Sequence, residues 1–389
     1  MTTIKLLEEV FKLSGIPDLT YVEPDEYVDL LVAIRTPGRC VVVEGPSGIG
    51  KTTAVIVVLR SLGVNNPAFF SARKRDDLPY IEGVIGDRNA GIVVIDDFHR
   101  LSSEVRHRLS DFMKVLADEE ERNTKLILIG INKSGDTLVQ FSADLNTRIS
   151  TIRMGTSRRE KTLELIRKGE EALNVSIADR YRIADSANGS FLITQLLCHD
   201  TCTHARVLQT APKKQEIDPR FEIIQGRVML EMDRKFFPSA RNFAQGSKLR
   251  REGRAPYLHL LKWLSESAQW TISLEEEGRR HRELHGSIVQ VKEKKHIDKL
   301  FEDKPDLQNF LHYESSTGTL STEDPIPVNV GLKCRRDARS PASIARGSAR
   351  ALVDLRSGAR CARSPRSPRS SNRFSTAMRR GRRSPSRSA

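Results

Sequence analysis

The stretch Gly45-Pro46-Ser47-Gly48-Ile49-Gly50-Lys51-Thr52 follows an apolar run, Cys40-Val41-Val42-Val43, and leads into a segment of helical character from Thr52 to Leu62. Strand, glycine-rich turn and helix in that order aim successive backbone N–H groups and a helix N-terminus at one point. A pyrophosphate suits that point. Lys51 is placed to reach the outer phosphates, the Thr52 hydroxyl can ligate Mg²⁺, and Thr53 continues the helix start. The observation implies a nucleoside triphosphate site built on an α/β fold.

Working outward, β-branched apolar runs recur at Cys40–Glu44, Ala68–Ser71, Gly91–Asp96, Leu126–Ile131 and Ile149–Ile152. Helical patterns at 52–62, 104–117 and 136–143 separate several of them. Strands flanked by helices predict a parallel sheet covered on both faces. Ahead of it, Ile4–Leu13 and Glu26–Arg35 read as short helices. From Ser157 the pattern turns helical, over 158–173, 177–187, 190–207 and 219–235. An amphipathic helix at Pro256–Glu266 opens a further series at 274–282, 284–292, 295–302 and 305–312, and Leu311–Leu320 reads as strand, turn, strand. Short helices closed by a two-stranded ribbon suggest a winged helix. The expected divisions are a helical linker (1–36), the α/β layer (37–156), a helical lid (157–210), a connector (211–254), a winged-helix domain (255–325) and a disordered tail (326–389).

The net charge of +14 is unevenly spread. The last 57 residues hold 17 of the 64 Lys and Arg but only Asp337 and Asp354 of the 50 acids, which leaves 47 bases against 48 acids in the body. An argument from overall charge for a DNA-binding body therefore fails, and the excess belongs to a tail of Arg, Ser, Pro, Ala and Gly that cannot bury a core. That tail reads either as an arm binding nucleic acid through phosphates or, the preferred reading, as text from a GC-rich gene read out of frame. Five cysteines without framework spacing, no apolar leader and no run of 18 apolar residues point to a reduced cytoplasmic setting without membrane spanning.

Ile92-Val93-Val94-Ile95-Asp96-Asp97 ends a buried strand in two acids. In Mg²⁺-dependent hydrolysis Asp96 would hold the metal's water shell, and Asp97 would polarise the attacking water. Leu126-Ile127-Leu128-Ile129-Gly130-Ile131-Asn132 ends a second apolar strand in an amide, which can bond the γ-phosphate or the water without adding charge. Cys198 and Cys202, at i and i+4 beside His199 and His204, lack the second pair a structural zinc site would use, so they read as helix packing.

With these motifs in order, residues from about 18 to 325 resemble P-loop ATPases of the AAA+ or STAND type, in particular bacterial ATP-binding proteins related to the origin-recognition branch. The resemblance implies ATP and Mg²⁺ as cofactors, Asn132 as sensor 1 and Arg148, in Asp144-Leu145-Asn146-Thr147-Arg148, as an arginine finger acting on a neighbouring subunit. It also implies a homo-oligomer, and places Tyr21 and Val22 against adenine. Two departures stand out: Asp97 replaces the usual Glu, and no arginine follows the lid-helix start at Asn188-Gly189-Ser190-Phe191. Both favour a slow, switch-like ATPase. A DNA-associated ATPase acting through its winged helix, and a nucleotide-gated signalling or defence scaffold with a separate effector partner, are the alternatives.

Overall fold

The computed structural model describes residues 4–131, 147–246, 255–267 and 270–322. Asn132, the helix expected at 136–143, the end of the connector at 247–254 and the Arg/Ser/Pro-rich tail lie outside the described residues.

Helices α1 (Leu7–Val10) and α2 (Tyr27–Arg35) precede strand β1 (Cys40–Glu44), and α3 (Lys51–Ser61) follows the glycine-rich turn. Next come β2 (Ala68–Ser71), α4 (Leu78–Val84), β3 (Gly91–Asp96), α5 (Ser103–Asp118), β4 (Thr124–Gly130) and β5 (Ile149–Arg153). The five strands pair in parallel in the order β2-β3-β4-β1-β5. The two-residue period of a strand divides their side chains between two cores. Val42, Val93, Ile95, Leu126 and Leu128 pack with Ile81, Leu109 and Met113 on one face. Val41, Val43, Val94, Ile127 and Ile129 pack with Leu30, Ile34, Val55 and Leu59 on the other. Every residue of β1 and β4 is buried, which is why both strands read as unbroken apolar runs.

This strand order positions the site. Because β4 lies between β1 and β3, the turn after β1 and the acids ending β3 open at the same carboxyl edge of the sheet, one strand apart. Lys125, buried in β4, anchors the opposite edge. Its Nζ donates to the carbonyls of Ala33, Thr36 and Arg39 at 2.9, 2.5 and 2.5 Å and so satisfies the chain end of α2. Burial pulls its pKa down to about 8.

Helices α6 (Arg159–Leu173), α7 (Arg180–Ala187) and α8 (Phe191–His204) enclose a second core with α1. Phe11, fully buried, lies across Gly169 of α6, where an added Cβ would stand 2.1 Å from the ring. Cys198 and Cys202 are buried in this core as free thiols, and no group of three His, Cys, Asp or Glu suited to a metal occurs among the described residues. Two three-residue strands, β6 (Val175–Ile177) and β7 (Gln215–Ile217), pair in parallel beside it. The sequence reading contains neither.

Helix α9 (Phe221–Gln245) runs well beyond the expected 235 and through Pro238. Proline removes one backbone hydrogen bond there, yet Phe221 and Ile224 bury in the second core while Phe236, Ala240 and Phe243 bury in a third. Apolar burial on both sides of the proline outweighs the lost bond. The third core also holds α10 (Pro256–Glu266), β8 (Thr271–Ser273), α11 (Leu274–Arg280), α12 (His285–Glu293), α13 (His296–Asp303), β9 (Leu311–Glu314) and β10 (Thr319–Thr322). The expected ribbon gains a strand, since β10 pairs antiparallel with both β9 and β8. The segment expected to be helical at 305–312 is a 3-10 turn, Pro305–Asn309. Among the described residues no helix is long and apolar enough to cross a membrane.

Candidate functional site

The glycine-rich turn closes over the start of α3 because Gly48 and Gly50 take φ of 76° and 92°, a region open to glycine at little cost. Lys51 Nζ donates to the carbonyls of Gly45 and Pro46 at 2.8 and 2.6 Å, so the ammonium rests on the turn itself. The turn also touches the start of α8. Leu192 N donates to Gly48 O at 3.0 Å, and a Cβ on Gly48 would come within 3.0 Å of the Leu192 Cβ. The start of α8 and the glycine-rich turn are thus in backbone contact.

Across the sheet edge, Thr52 Oγ1 donates to Asp96 Oδ2 at 2.9 Å. The other Asp96 oxygen accepts the Asp97 N–H at 2.8 Å. Burial pushes the Asp96 carboxyl above the usual range and the Asp97 carboxylate adds to this, while Thr52, the Asp97 N–H and Lys51 pull it back. Asp97 has φ 56°, a left-handed conformation that aspartate tolerates better than most residues. It turns its carboxylate to Arg73, which donates from Nε at 2.6 Å and from a terminal nitrogen at 3.0 Å. The Ser71 hydroxyl, at the end of β2, reaches the same carboxylate at 3.3 Å.

These groups line one cleft of about 430 Å³. It contains Ser47, Gly48, Ile49, Gly50, Lys51, Thr52 and Thr53 together with Asp96, Asp97 and Arg73. Gly45 and Pro46 form the turn's base, where their carbonyls hold Lys51. Gly130 and Ile131, the last described residues before Asn132, also line it. The cleft is also lined by residues of the strip between Lys12 and Val22, Tyr21 and Val22 among them, by Leu165, and by Phe191, Leu192 and Gln195 of α8. Lys168 Nζ bonds Tyr21 O at 2.6 Å and Thr20 Oγ1 bonds Val10 O at 2.9 Å, which fixes that strip of chain to the helical core. Arg148 does not line the cleft; its Nε donates to Asp118 Oδ1 on α5 at 2.5 Å.

Two contributors were not foreseen. Arg73 sits in a charged turn, Arg73-Lys74-Arg75-Asp76-Asp77, that reads as solvated surface. Gln195 stands in the largely apolar stretch Phe191-Leu192-Ile193-Thr194-Gln195-Leu196-Leu197, with no spacing to mark it.

A hydroxyl and a carboxylate oxygen at 2.9 Å are hard donors. Mg²⁺ is ordinarily held by one or two protein oxygens, with phosphates and water completing its shell. Thr52 and Asp96 therefore fit that ion. Beyond the cleft, the 3-10 turn Phe98–Arg100 that follows the acids meets the C-terminal hairpin. His99 and His312 rings lie 5.0 Å apart edge to face, and Arg100 bonds Gln308 O at 2.9 Å. Arg106 of α5 pairs with Glu314 at 2.6 Å, both largely buried.

Turn, acid pair and strand order together define a P-loop nucleotide-binding fold. Residues 41–152, the span of the α/β layer, match the model of the ATPase family associated with various cellular activities (AAA). No curated protein matches the chain. Among solved structures it is similar to the Holliday junction branch migration motor RuvB of Thermotoga maritima, at 17% identity and TM-score 0.41, over 79% of this chain and 96% of that one. It is also similar to Aeropyrum pernix ORC1 in complex with DNA, at 14% identity and TM-score 0.45, over 89% and 99%. The Aeropyrum pernix ORC2 protein gives 12% identity and TM-score 0.41, over 84% and 98%.

Proposed function

We propose that the chain binds ATP with Mg²⁺ in this cleft, hydrolyses it slowly, and uses the bound nucleotide to set the arrangement of its lid and C-terminal parts. The observation that carries the reading is the 2.9 Å contact between Thr52 and Asp96, which brings the phosphate-binding turn and the acidic strand to one point. Backbone amides from Ser47 to Thr52 would hold the triphosphate. Lys51 would leave the Gly45 and Pro46 carbonyls for the outer phosphates. Thr52 and Asp96 would hold Mg²⁺, which when bound neutralises charge on the phosphate oxygens.

Asp97 is the candidate for orienting and deprotonating the attacking water. Arg73 and Ser71 occupy its oxygens, so that carboxylate must be released before it can accept a proton. This supports slow turnover, in keeping with the shorter side chain. The switch reading rests on these contacts: Leu192 on Gly48 joins the turn to the lid, while His99 joins the segment after the acids to the hairpin and Arg100 joins it to the 3-10 turn before the hairpin. We read 157–210 as the lid and 255–325 as a winged-helix-like module. ATP binding by the wild type and by Lys51→Ala, measured by calorimetry, tests the site. Loss of at least about a hundredfold in affinity is expected, since two charge-assisted bonds at ~1.5–3 kcal/mol each would go; equal affinity overturns the reading.

A further inference from the structure

Where the cleft is lined by the Lys12–Val22 strip and by α8, two buried polar atoms accept or donate nothing among the described residues: Gln195 Oε1 and the Tyr21 hydroxyl. Gln195 is 4% exposed, sits one turn into α8, and lines the cleft together with Tyr21. Its orientation is set by its neighbour. Thr20 Oγ1 spends its one proton on Val10 O at 2.9 Å, so toward Gln195 it can only accept, and it does so from Nε2 at 2.7 Å. The amide nitrogen is thereby tied down, and the oxygen is the end left for something else. Val22, Leu165 and Phe191 line the same cleft and offer apolar surface for a flat ring.

A buried acceptor without a donor costs about 1–3 kcal/mol, and native structures keep few of them. A ligand that brings a donor to Gln195 Oε1 removes that cost. Burial and the Glu23 carboxylate push the Tyr21 phenol well above its ordinary range, so it remains a hydroxyl able to donate. The complementary ligand edge is an amino donor beside a ring-nitrogen acceptor, which is the 6-amino edge of adenine. Guanine presents the reverse, a carbonyl beside an N–H, and would set oxygen against oxygen at Gln195.

Resting on the reading of this cleft as a nucleoside triphosphate site, we propose that Gln195 is its base-specificity residue. Its amide oxygen accepts from the 6-amino group, with the Tyr21 hydroxyl as second reader, so that the cleft selects 6-aminopurine nucleotides. The full chain is titrated by calorimetry, with Mg²⁺, against ATP, GTP and purine riboside 5′-triphosphate, which lacks the 6-amino group. Wild type is expected to bind ATP about tenfold more tightly than either of the others. Gln195→Met should lower ATP affinity about tenfold and leave purine riboside triphosphate unchanged, collapsing the preference. Should Gln195→Met fail to fold, the wild-type comparison decides alone. Equal wild-type affinity for ATP and purine riboside triphosphate, or a preference that survives in Gln195→Met, overturns the proposal while the nucleotide site stands. Binding that is absent, or that Lys51→Ala leaves intact, overturns the site and this inference together.

Discussion

The phosphate end of the cleft is made by a contiguous run, Gly45 to Thr52, and by two adjacent aspartates that the sheet delivers one strand away. The rest of the cleft is assembled from chain segments that meet only in the fold, as in the bond between Gln195 and Thr20, 175 residues apart. The first end depends on backbone geometry and fixed charge, and it recruits few side chains. The second depends on how the Lys12–Val22 strip seats on α6 and α8. On the proposed reading, a triphosphate held by amides is a local property of sequence, whereas a recognised base is a property of packing. Perturbations should separate the two ends, and should also divide the phosphate end into binding and turnover.

The largest expected effect lies within the phosphate end. Asp97→Asn keeps the shape and removes the proton acceptor, so ATP turnover should fall by about a hundredfold or more. ATP affinity should stay within about twofold, because Asp96, Thr52 and Lys51 are untouched. Steady-state phosphate release and calorimetry on the same preparation check this pair. A matched loss of binding would mean that the two aspartates act as one unit and would erase the division.

Acidification should act on the same end with the next largest effect. Asp96 must be a carboxylate to hold Mg²⁺, and burial raises its pKa above that of an ordinary aspartate. MgATP affinity should therefore be full above that raised pKa and fall by up to about tenfold per pH unit below it. The sign for folding is the opposite. The folded chain holds this proton more firmly than the unfolded chain does, so protonating Asp96 stabilises the fold as pH drops. Binding should thus be lost while the chain stays folded, as circular dichroism beside the titration would show. Asp96→Asn should abolish that pH dependence.

The contrast also explains what could be seen in advance. Strands β1, β3 and β4 are buried on both faces, so their β-branched runs were legible, and the acids ending β3 marked the carboxyl edge. The glycine spacing carried the turn. By contrast, β6 and β7 have three residues each, too few for a period, and they exist because distant segments meet. The length of α9 was hidden by Pro238, whose local cost is outweighed by contacts in two cores. Gln195 carries no local signal at all: its meaning comes from the proton that Thr20 has already committed to Val10. Arg73 reads as a surface charge until the left-handed turn at Asp97 brings the carboxylate round to it.

Gly169 allows the base end to be disturbed alone. A Cβ there would stand 2.1 Å from the Phe11 ring, which anchors α1 and the strip that follows it. Gly169→Ala should destabilise the chain by about 1–3 kcal/mol through overpacking, and displacement of Tyr21 and Val22 should lower ATP affinity by about tenfold. Tripolyphosphate, which has no base, should bind Gly169→Ala as it binds wild type. If tripolyphosphate binding weakens equally, the two ends are mechanically one, and the comparison fails.

The smallest expected change is the most informative about rate. Arg73 is about half exposed while Asp97 is mostly buried, with side-chain exposures of 48% and 17%. A pair so placed is worth no more than about 1 kcal/mol. It nonetheless engages both carboxylate oxygens, so a water approaching Asp97 competes with a guanidinium for the same lone pairs. Arg73→Ala frees the carboxylate, and turnover should rise by about fivefold at most, the rate equivalent of that energy. ATP affinity should change little. A fall in turnover would instead make Arg73 a group that positions Asp97 or the phosphate. The phosphate end would then depend, as the base end does, on a side chain that only the fold brings into place.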